Sequence, residues 1–204
     1  MITLYDQENI NRLYNDIDNI FSENLKKASE ETNNKLNEFF GVCECNTKKI
    51  SSRDISGWIF ENVVRIGLRQ ELKNLGYNPD IITPQYTLKY NDSELEKVQK
   101  RKIDLKIGDK ILVEIKGFGL FYDYNSDKVK YQRIKDEAEK QKFNYLCILK
   151  KGEKEPKNKD SIDYRGDAII LFGKENCFFL DDPNEDNWKN FVKRVSEILK
   201  QETK

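Results

Sequence analysis

The chain has 204 residues, 37% of them hydrophobic and 35% charged, with acids and bases in equal number and no histidine. That is enough apolar sequence for one globular core. The neutral total argues against indiscriminate nucleic-acid binding, and the missing imidazole excludes Ser-His and Cys-His hydrolases, HNH-type nucleases and His-based zinc hydrolases.

Residues 1–50 read as an N-terminal helical segment. Leu4, Ile10, Leu13, Ile17, Ile20, Phe21 and Leu25 recur at three- and four-residue steps. Packing on the chain's own core and a coiled-coil-like subunit interface are both open for this stripe. No basic leader precedes an apolar run and no apolar stretch nears the ~20 residues of a membrane span, so no membrane partner and a cytoplasmic location are expected. Cys43, Cys45, Cys147 and Cys177 show no C-x-x-C spacing, which argues against structural zinc. Cys147 falls in an apolar run and is expected to be a buried thiol.

Residues 51–204 are expected to form an α/β (or α+β) domain, a mixed sheet flanked by helices. A helix over 54–75 carries Trp58, Ile59, Val63, Ile66 and Leu72 as its apolar stripe and ends at Gly76. Glu61 lies on its more polar side, where an i,i+4 pair with Arg65 is available. Residues 81–90 suit a first strand, and Asn91 to Lys100 reads as a polar connection.

The next stretch is the most informative. Ile103, Leu105 and Ile107 alternate with polar residues, as do Ile111, Val113 and Ile115, around the turn Gly108-Asp109-Lys110. Matching the two apolar faces sets Ile107 opposite Ile111, Leu105 opposite Val113 and Ile103 opposite Ile115. Asp104 then faces Glu114, with Cβ atoms about 4.5–5.5 Å apart, and Lys116 shares their side. Opposed like charges destabilise a sheet, and a divalent cation would offset them. Beside it, a lysine can orient or help deprotonate a water, or stabilise charge on a phosphate.

Asp/Glu-x-Lys triplets also occur at Glu71-Leu72-Lys73, Asp104-Leu105-Lys106, Glu155-Pro156-Lys157 and Glu202-Thr203-Lys204. Glu114-Ile115-Lys116 stands apart because it lies on an apolar strand paired with an acid-bearing one. A salt-bridged, exposed hairpin face is the plain alternative.

Gly117 to Tyr124 is an aromatic exit loop whose rings, Phe118 and Tyr122 among them, can close the core or stack on bases. A helix over 126–142 is dense in Lys128, Lys130, Arg133, Lys135, Lys140 and Lys142. With Lys97, Lys100, Arg101, Lys102 and Lys106 these bases would make a phosphate-facing patch. Interspersed Asp136, Glu137 and Glu139 suit a solvated helix face instead. Phe143 to Lys150 reads as a buried strand, parallel to its neighbour through the helical crossover. Ala168 to Phe172 and Cys177 to Leu180 read as a late strand pair. Asp182-Pro183-Asn184-Glu185 reads as a helix start, followed by a stripe of Trp188, Phe191, Val192, Val195, Ile198 and Leu199.

Asp104, nine intervening residues, then Glu114-Ile115-Lys116 resembles the core motif of the PD-(D/E)XK nuclease superfamily, which includes many type II restriction endonucleases. The likeness covers about residues 54 to 150, as helix, strand, hairpin, helix, strand, and implies a restriction-endonuclease-like fold. It departs from the pattern in that Ile103, not Pro, precedes Asp104. A literal Pro79-Asp80 followed by Asp104-Leu105-Lys106 is the rival assignment. The resemblance implies an Mg²⁺-dependent endonuclease (Mn²⁺ substituting) that cuts double-stranded DNA to 5′-phosphate ends. Asp104, Glu114 and the Ile115 carbonyl would hold the metal and Lys116 would orient water. Glu61 is the position onto which the superfamily's helix glutamate carries over. Lys102, Phe118, Tyr122, Lys130 and Arg133 are the expected DNA contacts, and a homodimer would serve two antiparallel strands. The alternatives are a repair or junction-resolving nuclease of the same fold and a non-catalytic helical interaction protein.

Overall fold

The structure, a computed structural model, describes residues 7, 8, 11, 12, 15, 16, 52–92, 97–117, 124–150, 163–182 and 184–201. Its elements run α1 (Ser52–Asn74), β1 (Ile82–Asp92), β2 (Lys97–Ile107), β3 (Ile111–Lys116), α2 (Tyr124–Lys140), β4 (Asn144–Leu149), α3 (Tyr164–Phe172), β5 (Cys177–Phe179) and α4 (Asn187–Lys200). The five strands form one mixed sheet in the order β1-β2-β3-β4-β5. β1, β2 and β3 are antiparallel neighbours, and β3, β4 and β5 are parallel.

Each face of the sheet has its own core. Ile111, Val113, Ile115, Leu146 and Ile148 pack with α1 and α4. Leu112, Tyr145, Cys147 and Leu149 pack with α2 and α3. The strict alternation along β3 and β4 assigns every second residue to each layer, and burial on both sides explains why β4 reads as a continuous apolar run. The β3–α2–β4 crossover delivers the parallel pairing.

α1 buries Ile59, Phe60, Val63, Val64, Leu68 and Leu72. Trp58 and Ile66, expected in that stripe, are about half exposed at 49% and 50%; the helix turns a neighbouring arc inward. α1 ends where Gly76 adopts φ +85, with Tyr77 N donating to Leu72 O and Gly76 N to Lys73 O, a Schellman stop. α2 ends the same way without a glycine. Lys142 takes φ +63, Phe143 N reaches Ala138 O and Lys142 N reaches Glu139 O.

Three further expectations need correction. The segment 91–100 is not a mere connection: Asn91 pairs with Val98 and Asp92 with Lys97, so β1 and β2 form a long two-stranded ribbon. Residues 168–172 are helical, not a strand. Asp163 caps α3 by accepting from Gly166 N, and Gly173 at φ +87 closes it. β5 therefore pairs with β4, not with a hairpin partner. The last helix starts at Asn187 rather than at 182–185, because Asp186 accepts from Lys189 N while Asp182 caps only a turn to Asn184 N.

Most of the N-terminal segment lies outside the described residues. Those described are helical. Gln7 Nε2 donates to Asp182 O, Asn11 Nδ2 to Leu180 O, and Lys150 Nζ to Asn15 Oδ1. Among the described residues no helix is long and apolar enough to cross a membrane.

Candidate active site

The site sits where β2 leaves β3. The ladder between them runs Ile107–Ile111, Lys106–Leu112 and Leu105–Val113, the register expected from the alternation, and stops there. Ile103 does not face Ile115. It joins Leu88 in the α2/α3 core, whereas Leu105 and Ile107 belong to the α1/α4 core. The sidedness of β2 thus reverses around Asp104. The same reversal occurs in β1, where Ile82 lies in one core and Leu88 in the other. Between them, Gln85 holds φ +52, and the Gln85–Asp104 rung is missing from the ladder. A left-handed residue inside a strand costs conformational energy and re-aims its neighbours.

Asp104 uses the gap. Its Oδ2 accepts from Ile115 N at 2.7 Å, replacing a strand-to-strand bond with a side-chain one. Glu114, one residue earlier on β3, is 5% exposed. Its Oε1 accepts from Tyr131 on α2 at 3.3 Å and its Oε2 from Tyr145 on β4 at 3.2 Å. Lys116 Nζ stands between the two acids, 2.6 Å from Glu114 Oε1 and 3.3 Å from Asp104 Oδ2. Asp104, Glu114 and Lys116, singled out by spacing, are therefore brought together.

Glu61 joins them electrostatically from α1. Arg65 does not pair with it, donating instead to Asn62 Oδ1, while Gln85 Nε2 donates to Glu61 Oε2 at 3.3 Å. Burial, then the nearby charge of Asp104, pushes the Glu61 carboxyl up to about 7, against the opposing pull of Lys116. Burial and Glu114 raise Asp104 to about 6, although Lys116 and the Ile115 N–H work the other way. For Lys116, burial favours the neutral amine, but Glu114 and its neighbours outweigh it and the ammonium is held well above its ordinary range. Burial, then Glu114, likewise raises the Tyr131 and Tyr145 hydroxyls, so both remain donors at neutral pH.

The remaining expected positions are dispersed. Asp80 of the rival assignment is exposed and paired with Arg69 at 2.9 Å. Lys106 pairs with Asp109 and lies over the rings of Tyr86 and Phe143. Lys130 is held by Asp127 at 3.5 Å and stacks on Tyr131. Lys102 and Arg133 are exposed, and Phe118 and Tyr122 lie outside the described residues. Gln85, Tyr131 and Tyr145 were not expected here. Each comes from a different element, and only the sheet register, with Glu114 beside Cys147 on β4, brings Tyr145 near. A hollow of about 670 Å³ between α3 and α4 is lined by Arg165, Phe178 and Arg194 among others, and none of Glu61, Asp104 and Glu114 lines it.

As placed, no three acidic or sulfur side chains among the described residues enclose an ion-sized space; the Lys116 ammonium is the cation that bridges Asp104 and Glu114. Searches of protein-family models, curated proteins and solved structures returned no match to this chain.

Proposed function

We propose that this protein is an Mg²⁺-dependent endonuclease of double-stranded DNA with a restriction-endonuclease-like fold. The observation that carries the reading is the gathering of Asp104, Glu114 and Lys116 at the point where β2 leaves β3. The element order α1, β1, β2, β3, α2, β4 also agrees with that of the PD-(D/E)XK core. The donor set suits a hard divalent cation: oxygen ligands, with the Asp104 and Glu61 carboxyls raised by burial and then by the charge of neighbouring acids. Asp104, Glu114 and the Ile115 carbonyl would hold the ion, with Glu61 at its margin. Bound there, it would supply Lewis acidity toward a phosphate oxygen and lower the pKa of a water.

The chain's own residues divide the remaining work. Tyr131 and Tyr145 fix the Glu114 carboxylate. Lys116 stays charged at neutral pH, so its role is to steady negative charge on a phosphate rather than to take a proton. A homodimer would place two such sites against antiparallel strands. The test is supercoiled plasmid incubated with and without Mg²⁺. Wild type cuts and Glu114→Ala and Lys116→Ala do not. Discrete bands indicate sequence recognition, a smear indicates general degradation, and cutting of branched DNA alone indicates a resolvase. Equal inertness of wild type and both variants removes the proposal.

A further inference from the structure

The β1–β2 ribbon carries cations arranged against its own stability. Lys89 lies directly opposite Lys100, and Lys102 opposite Thr87. Directly opposed like charges disfavour strand pairing. With Val98, 61% exposed, these residues share the face turned away from Leu88 and Ile103, and hence away from α2. Thr87, Lys89, Val98, Lys100 and Lys102 are all exposed, and none is acidic. None of the three lysines has an ion-pair partner among the described residues. The cations of α2 differ. Lys128 pairs with Asp167, Lys130 with Asp127, Lys135 with Glu139 and Lys140 with Glu137. The expected single patch is therefore split: these α2 cations are paired, by acids of α2 and by Asp167 of α3, whereas the three ribbon lysines meet no acid among the described residues.

We propose that this face of the ribbon is the docking surface for the backbone of duplex DNA, with Lys89, Lys100 and Lys102 neutralising successive phosphates. The choice of DNA as the polyanion rests on the nuclease reading. A two-stranded ribbon fits the dimensions of a major groove. Lys102 is two residues from Asp104, a step of about 7 Å along a strand.

The experiment is fluorescence anisotropy of a labelled 20-base-pair duplex with the full chain in EDTA, titrated over a range of salt. Lys89→Glu/Lys100→Glu/Lys102→Glu should weaken binding by about tenfold or more and flatten the slope of log K against log salt by about 2.7, roughly 0.9 per phosphate. Lys135→Glu/Lys140→Glu on α2 should leave the slope unchanged. The single Lys89→Glu variant separates binding from folding: it places opposite charges across the rung, so its melting temperature should rise while its affinity for duplex falls. Unchanged affinity in the triple variant, or equal weakening by the α2 variant, overturns the proposal. So does tighter binding to single strands or anionic vesicles than to duplex. Plasmid cleavage by wild type with ribbon-independent binding would remove the ribbon and keep the nuclease. Ribbon-dependent binding with no cleavage would do the reverse.

Discussion

The backbone N–H of Ile115 is satisfied by the Asp104 carboxylate at 2.7 Å and not by a β2 carbonyl. One acid is thus both a site residue and a strand partner, and two substitutions separate these roles. Asp104→Asn keeps an acceptor for Ile115 and relieves a carboxylate whose charge is disfavoured by burial; it should fold as well as wild type at pH 8. Asp104→Ala strands a buried donor and should cost about 1–3 kcal/mol. Urea melts measure the difference, and both variants should be inactive on plasmid.

Glu61 makes the metal-free protein pH-sensitive. Its folded value is about 7 against an ordinary 4.5. For an acid raised in this way, the stabilising contribution is present below the unfolded value and lost as pH rises through the folded one. In EDTA, wild type should lose stability relative to Glu61→Gln between about pH 4.5 and 7. Melting temperatures across that range check it. Parallel curves for the two proteins would remove Glu61 from the acid cluster.

Divalent cations should stabilise the fold. Binding to the folded state alone adds about 2.7 kcal/mol at a concentration one hundred times Kd. Mn²⁺ should therefore raise the melting temperature of wild type by several degrees, and Glu114→Gln should lose that rise.

Lys142 offers a gain in stability. It occupies the left-handed position that closes α2, where a side chain is penalised and glycine is not. Lys142→Gly should stabilise by roughly 0.5–1 kcal/mol in equilibrium unfolding.

Phe191 is the opposite case. Fully buried between Phe178 and Trp188, it should cost about 3–5 kcal/mol when truncated to Ala.

How far the sequence spoke depended on how uniform each element is. The turn at Gly108 and the inner rungs were legible because two apolar alternations met at one glycine, and the stripe of α4 because every third or fourth residue was large and apolar. Ile103 misled because period-two reasoning assumes that a strand keeps its sidedness, and nothing local announced φ +52 at Gln85. The ribbon was missed because Asn91, Asp92, Lys97 and Lys100 are polar and offer no apolar alternation to mark a strand. The run Ala168 to Phe172 suits a strand or a buried helix equally; what decides it is Asp163 capping one end and Gly173 closing the other. At the site, Asp104, Glu114 and Lys116 share one hairpin and so share a local signal. Tyr131 and Tyr145 reach Glu114 only through α2 and β4, a convergence that only the assembled sheet creates.

The missing rung at Gln85 and Asp104 also divides the ribbon mechanically. Outboard of it, the two strands are laced to each other; inboard, β2 is laced to β3 as well. Compliance concentrates at the unlaced rung, so a load on the lysine-bearing arm would be felt there first, at the carboxylate that touches both Lys116 and the β3 backbone.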